Sequence, residues 1–380
     1  MKAHLNTFKQ NKTPFYWYNM DLLEQTLQAV KTESGKYGYH VHYAMKANAN
    51  ETIIKKIRDY GLGADCVSGN EVLAAAKAGF TIDNIVFAGV GKSDDEIIIG
   101  LDNNIFCFNV ESIPELEVLN EIATSKGKQA KVALRINPNV SVSTHHYITT
   151  GLEENKFGIN MWEMEDVIEA LQKLNAIELI GLHFHIGSQI TDLQDFKSLC
   201  IRVNEIQEWF YAHQIIVDHV NVGGGLGINY EHPNEESIPD FKGYFKVFND
   251  FLELRPKQKL HFELGRAIVG QCGSLITKVL YIKKGVQTSF AIVDAGMTEL
   301  IRPALYQAVH KIENLSSDLP EKKYDVVGPI CESSDCFAKA LLLPETKRND
   351  IIAIRSAGAY GEVMSSQYNL RTLAKAYYSK

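Results

Sequence analysis

Apolar and polar positions alternate along the chain in two recurring patterns. Short apolar runs end near Met45 (HVHYAM), Val67 (GADCV), Ala88 (NIVFA), Phe108 (IFCF), Ile136 (KVALRI), His185 (LIGLHFH), Val222 (VDHVNV) and Glu263 (KLHFE). Between them lie stretches with helical periodicity, among them ETIIKKIRDY, GNEVLAAAKAGF, IPELEVLNEIATS and LQDFKSLCIRVNEIQEWF. Strands that alternate with helices predict parallel βαβ units. Eight such strands over roughly 230 residues fit a (β/α)8 barrel, whose usual size is ~250 residues.

After Arg266 the pattern changes. GSLITKVLYIKKG, TSFAIVDAG, KYDVVGPI and DIIAIRSAGAY read as strands parted by turn residues, with few helical stretches, which predicts a β domain. Ahead of the barrel, TPFYWYNMDLLEQTLQAVK reads as a strand and then a helix, compatible with either part. The expectation is a barrel over residues 30–267 and a β-rich domain over 268–380, joined by residues 1–29. A length of 380 residues accommodates both.

Composition narrows the function. Hydrophobic residues make up 45% and charged residues 22%, as in globular proteins. The net charge of −7, with no basic block, argues against a nucleic-acid partner. No apolar run approaches the ~20 residues that span a bilayer, so no membrane role is expected. The N-terminal MKAHLNTFKQNKTPFYWY lacks the apolar core of a secretory signal. Six scattered cysteines without a CxxC are expected to be reduced thiols in a cytoplasmic protein. Cys331 and Cys336 could form a disulfide or half of a metal site, but no second pair accompanies them, so neither is expected.

In a barrel, chemistry gathers at the C-terminal ends of the strands. Lys46 ends the first predicted strand, between small residues in YAMKANAN; Asp65 lies in the second; His183 and His185 end the sixth. Gly223-Gly224-Gly225 ends the seventh, and Glu263 ends the eighth with Arg266 just beyond. Consecutive glycines after a strand let backbone N–H groups approach a phosphate, although a simple turn would look the same. Arg266 could clamp a phosphate or serve as an ion pair at the domain junction. The HxH pair could bind metal, sit satisfied in a polar mouth, or place an imidazole against an aromatic cofactor; without further ligand spacing, metal is the weakest of the three. A phosphorylated pyridine cofactor needs a Schiff-base lysine, phosphate donors, a ring partner and a carboxylate at the ring nitrogen. Candidates for all four are present.

The motifs YAMKANAN, ADCVSGNE, ENKFGI, HFHIGSQ, NVGGGLGI, FELGRAIVG, DAGMTELIRPALY, VVGPICESSD and GAYGEVMSSQYN resemble, in order, those of the diaminopimelate decarboxylase family, within the fold-type III pyridoxal-phosphate-dependent decarboxylases. The resemblance runs from about Phe15 to Asn369. It implies an alanine-racemase-like barrel plus a β domain, pyridoxal 5'-phosphate as cofactor, and a homodimer with active sites at the interface. The implied reaction is decarboxylation of meso-diaminopimelate to L-lysine, the last step of lysine biosynthesis. It further implies that Lys46 is the Schiff-base lysine, His185 the ring-stacking histidine and Ser188 a phosphate ligand. Gly223, Gly224 and Gly225 would form the phosphate loop, Glu263 would pair with the pyridine nitrogen, and Arg266 would reach phosphate or substrate. Asp65 and Gly265 join the cofactor-binding set. Arg302 and Tyr306 would hold substrate carboxylate, Tyr360 would contact cofactor and substrate, and Cys331 (proton donor) and Glu332 (substrate selector) would come from the partner subunit. Ala44 and Ala47 are then expected to clear space for the pyridine ring. Two departures stand out: ELGR in place of the commoner EPGR, and a short tail after Asn369.

Ornithine, arginine and carboxynorspermidine decarboxylases share the lysine, glycine and glutamate motifs. The pairing of Arg302 with Glu332 favours a substrate with a distal carboxylate and a distal ammonium. A metal-dependent barrel hydrolase would carry its HxH before the lysine, whereas Lys46 precedes His183. A non-catalytic cofactor carrier would leave Arg302, Tyr306, Cys331 and Glu332 without purpose.

Overall fold

In the computed structural model, which describes residues 1–140 and 156–379, eight parallel strands close into a barrel in chain order. They are His40–Ala44, Gly63–Cys66, Ile85–Phe87, Cys107–Val110, Ala130–Arg135, Ile177–His183, His219–Asn221 and Lys259–Leu264. Each apolar run read from the sequence supplies one of them. Closure is made by pairing the first strand with the last, with Tyr43 opposite Leu264. The barrel belongs to one compact unit, Leu27–Gly227 with Asp240–Gly265.

Local chemistry fixes where its helices begin. Ser68 accepts a hydrogen bond from the Glu71 amide at the start of Gly69–Ala78, which ends on the left-handed Gly79 at φ 88°. Ser93 and Glu96 form a reciprocal capping box ahead of Asp94–Asp102. Ser112 caps Ile113–Ser125, which carries Pro114 in its first turn. Ser68 and Ser112 stand two positions past the ends of barrel strands, so those connections are short.

The other unit comprises Met1–Thr26, Ile228–Pro239 and Arg266–Lys380. Its sheet runs in the order Ile312–Asn314, Ile351–Ile354, Gly273–Lys284, Ser289–Val293, Glu321–Val327 and Cys336–Pro344. The 12-residue strand Gly273–Lys284 is its spine. One half pairs with Ile351–Ile354 and with Phe15–Tyr18; the other half, past an irregularity between Val279 and Tyr281, pairs with Ser289–Val293. The early strand Phe15–Tyr18 is therefore part of this sheet. On its far side lies Lys375–Tyr378, in parallel, a strand that the pattern of the chain did not disclose. Among the described residues no helix is long and apolar enough to cross a membrane, and all six cysteines are free, Cys331 and Cys336 included.

The barrel interior holds a hydrogen-bonded row of imidazoles. His42 Nδ1 lies 3.0 Å from the Asn84 carbonyl oxygen, His42 Nε2 lies 2.9 Å from His261 Nδ1, and His261 Nε2 lies 2.9 Å from His219 Nδ1. A carbonyl only accepts, so His42 donates from Nδ1 and accepts at Nε2. The same assignment then propagates, with His261 and His219 each donating from Nδ1. The row requires His42 and His261 to be neutral, because a proton on Nε2 of either ring would face another donor. Burial lowers His42 to about 4, partly opposed by the Glu263 charge, and burial and then His42 drive His261 far below its ordinary value.

Histidines depressed in the folded state take up protons on unfolding. Stability should be full above about pH 6.5 and fall as the pH drops toward 4. Between pH 7.5 and 5.0, His42 alone should cost about 2 kcal/mol. Denaturant unfolding at the two pH values checks this: a His42→Gln chain should lose about 2 kcal/mol less over the interval than the unaltered chain. Equal losses would show that His42 titrates normally.

Candidate active site

The eighth barrel strand carries Glu263 inward, and three strands supply its partners. Oε1 accepts from Asn109 Nδ2 at 3.0 Å and from Asn221 Nδ2 at 2.8 Å, while His183 Nε2 lies 2.9 Å from Oε2. Asn221 and His183 are the last residues of their strands. All four side chains are buried. Burial alone would raise the carboxyl. The interaction with His183, followed by the Lys46 charge, outweighs it and holds Glu263 well below the usual carboxylate range. Neither Asn109 nor Asn221 was singled out from the sequence. Each is a lone amide in an apolar strand, and only the register of the closed barrel turns it toward Glu263.

Lys46 follows the first strand in the tight turn Met45–Ala47. Its Nζ lies 3.9 Å from Asp65 Oδ2. Both Asp65 carboxylate oxygens are buried and accept no hydrogen bond among the described residues. Burial, and then the Glu263 charge, push the Asp65 carboxyl well above its ordinary value, against the pull of Lys46. Lys46, His183, His185, Glu263 and Arg135 line one cavity of about 380 Å³. Arg135, also unnoticed in the sequence, ends the fifth strand, pairs with Glu111 at 2.9 Å, and lies over the Phe157 ring. Phe157 belongs to the ENKFGI motif, whose first two residues, Glu154 and Asn155, lie outside the described residues.

The HxH pair divides its work. His183 serves Glu263. His185, just past the strand, accepts the Gly224 N–H at Nδ1, 3.3 Å away. Desolvation in the mouth, then the Arg135 and Lys46 charges, hold His185 well below its usual pKa, so its ring is neutral. Gly223 and Gly225 have φ of 68° and 106°, and a Cβ on Gly224 would fall 1.8 Å from the Glu263 carbonyl oxygen. No side chain fits there, so the loop presents bare backbone. Ser188 stands on the neighbouring segment, which is tied to this loop by the Ile190 N–H bond to Gly225 O and the Gly227 N–H bond to Ile190 O. A Cβ on Gly265 would lie 3.1 and 2.9 Å from those of Ala44 and Ala47, so the small size of these two residues also admits the backbone at Gly265.

The β unit gathers a second set. Arg266 and Arg302 are buried and both donate to the Tyr230 hydroxyl, Arg302 Nη1 at 2.9 Å. Arg266 also lies over the Tyr360 ring, 4.9 Å from its centre, and Tyr360 has a left-handed backbone with φ 55°. Tyr306 ends the short helix Arg302–Tyr306. Cys331 and Glu332 stand on an exposed turn. The base of that turn is held by Asp335, whose carboxylate accepts the Ile330 and Met297 amides at 2.7 and 2.6 Å. Its tip is held by Asn369, which accepts the Cys331 N–H, and by Tyr368, which donates to Glu332 at 2.6 Å. Tyr230, His310, Asp335, Tyr368 and Asn369 acquire these positions only through the fold.

The barrel mouth fits pyridoxal phosphate. A lysine, a carboxylate held ionised, a neutral imidazole and a side-chain-free amide loop match the aldehyde, ring nitrogen, ring face and phosphate of that group. The unsatisfied, buried Asp65 oxygens match a missing polar partner.

Comparison with known proteins agrees. The family described as "Pyridoxal-dependent decarboxylase, pyridoxal binding domain" matches residues 20–270. The chain is 60% identical over 376 residues to a diaminopimelate decarboxylase of Bacteroides thetaiotaomicron, covering 99% of this chain and 97% of that protein. The crystal structure of diaminopimelate decarboxylase from Helicobacter pylori complexed with L-lysine superposes with a TM-score of 0.93 at 41% identity, over 99% of this chain and 93% of that one. The crystal structure of diaminopimelate decarboxylase from m. jannaschii, also in complex with L-lysine, superposes with a TM-score of 0.90 at 34% identity, over 99% of this chain and 89% of that one. With such identity along nearly its whole length, the chain belongs to the diaminopimelate decarboxylase family of pyridoxal-dependent decarboxylases.

Proposed function

We propose that this chain decarboxylates meso-diaminopimelate to L-lysine and CO2, the last step of lysine biosynthesis, with pyridoxal 5'-phosphate as its cofactor. The observation that carries the reading is the convergence of Lys46, Asp65, His183, His185 and Glu263 in the barrel mouth, beside a glycine loop that no side chain can enter. When bound, the cofactor supplies an electron sink for the pair left on the α-carbon as CO2 departs. Lys46 binds its aldehyde. Glu263, ionised by its surroundings, holds the proton of the ring nitrogen. His185 would lie against the ring as a neutral imidazole, and Gly223, Gly224, Gly225 and Ser188 would hold the phosphate, with Gly265 and Arg266 completing the cofactor-binding set. Asp65 lies within reach of Lys46. Arg302 and Tyr306 hold the distal carboxylate of the substrate, and Tyr360 orients substrate and cofactor. Cys331 delivers the proton that replaces CO2, and Glu332 reads the distal ammonium.

The same reading makes the protein a homodimer in which Cys331 and Glu332 act in the partner's site. A twofold interface repeats each contact, so a dimer holds two composite sites.

Three outcomes follow. The purified protein should be yellow, and borohydride should fix the cofactor on the peptide containing Lys46; a label on another lysine would refute that assignment. Incubation with meso-diaminopimelate should yield L-lysine and CO2, with ornithine turned over very poorly, because a site built on buried polar groups rejects an analogue that leaves them unpaired. Equal turnover of ornithine would leave only the broader decarboxylase reading. Finally, Lys46→Ala and Cys331→Ala chains, each nearly inactive, should recover roughly a quarter of full activity after random subunit exchange, because about half the dimers are mixed and each holds one intact site. Confirmed exchange without recovery would place Lys46 and Cys331 of one site on the same chain.

A further inference from the structure

Arg302 is held in an unusual way for a buried cation. Buried charges are ordinarily paired with opposite charges. Arg302 has no carboxylate partner among the described residues; its hydrogen-bond partners there are two neutral acceptors. Both contacts use Nη1, which reaches the Tyr230 hydroxyl at 2.9 Å and His310 Nε2 at 2.9 Å. The two hydrogens of that amino group are thereby committed, and the Nε–Nη2 edge, a two-donor fork suited to a carboxylate, is left over.

The histidine is fixed from behind. His310 Nδ1 lies 2.8 Å from the Arg355 carbonyl oxygen. A carbonyl only accepts, so His310 donates from Nδ1 and offers a lone pair from Nε2 to Arg302. Burial, then the Arg302 charge, pull this imidazole down to about 3, so it stays neutral over the working pH range. The Tyr230 ring packs edge-on against His310, with centres 5.0 Å apart, and its hydroxyl also receives Arg266. One phenol therefore spaces two like charges, and one imidazole sets the rotation of the second guanidinium.

We propose that Tyr230 and His310 are positioning residues that hold Arg302 by neutral acceptors alone, leaving its full charge to bind the distal carboxylate of substrate and product. The inference rests on the reading that Arg302 holds that carboxylate. An acidic residue at position 310 would satisfy the same hydrogen bond but supply the countercharge internally, and the carboxylate of the ligand would then be bound weakly.

Inhibition of the holoenzyme by L-lysine, which retains the carboxylate, and by 1,5-diaminopentane, which lacks it, separates positioning from general damage. In His310→Leu and Tyr230→Phe, L-lysine should bind roughly 10- to 100-fold more weakly while the diamine changes by less than about threefold. His310→Gln, with a neutral acceptor, should recover most of the L-lysine affinity; His310→Glu should not. Tyr230→Phe keeps the ring and carries the test if His310→Leu does not fold. Equal weakening of both ligands, unchanged L-lysine binding, or a His310→Glu enzyme that binds L-lysine as well as His310→Gln would overturn the proposal. Arg302→Ala serves as the control: if it too leaves the preference for L-lysine over the diamine intact, the failure lies with the reading of Arg302 and not with its supports.

Discussion

A carboxylate kept ionised inside a closed barrel is the constraint on which the rest of this site depends. Glu263 is buried, so its charge must be stabilised by fixed dipoles and neighbouring charges. Glu263 receives two amide donors and one imidazole from Asn109, Asn221 and His183. These come from the fourth, seventh and sixth strands, and Glu263 from the eighth. A slip of one residue in any of these strands would turn the donor outward. The same hydrogen bonds that set the ionisation of the acid therefore also reward the correct strand register, and the chemistry and the closure of the barrel stabilise one another.

The two polar clusters solve opposite problems. In the barrel a negative group is surrounded by donors until it stays charged. In the β unit a positive group, Arg302, is surrounded by neutral acceptors until it is oriented but not neutralised. A carboxylate partner would have been the more stable way to bury Arg302, but it would also have occupied the charge. The proposed role of Arg302 would account for the difference, because an ion pair closed within the protein leaves little affinity for an anion that arrives later.

Much of the architecture was legible because barrel strands buried on both faces write continuous apolar runs, and the serine caps and glycines that follow them mark where each run stops. Lys46, Glu263 and the three glycines stood out because each stands at the end of an apolar run, where barrel chemistry gathers. Asn109 and Asn221 did not stand out, since a single amide in CFNV or HVN resembles any polar interruption, and its partner Glu263 is 154 or 42 residues away. Tyr230 and His310 were invisible for the same reason: each sits in a loop or at the edge of a short helix, and its role exists only once Arg302 and Arg355 have been brought beside it. Lys375–Tyr378 was missed because a four-residue strand at the end of a chain carries too little pattern to be distinguished from coil. Small side chains near Lys46 signalled a close approach, and one approaching group is the backbone at Gly265.

The row of histidines in the barrel interior shows what a buried carboxylate asks of its surroundings. His42 stands directly opposite Glu263 in the register of the first and eighth strands, and the Glu263 charge works to raise its pKa. A protonated His42 would pair with Glu263 and compete for the carboxylate that the site requires. Burial prevails over that attraction, and the hydrogen-bond sequence from the Asn84 carbonyl through His42 and His261 to His219 gives both ring nitrogens of His42 and of His261 a partner. The neutral row therefore insulates Glu263 from a second cation, leaving His183 and Lys46 as the groups that set its charge. That isolation lets one carboxylate be tuned from the mouth of the barrel without being quenched from within it.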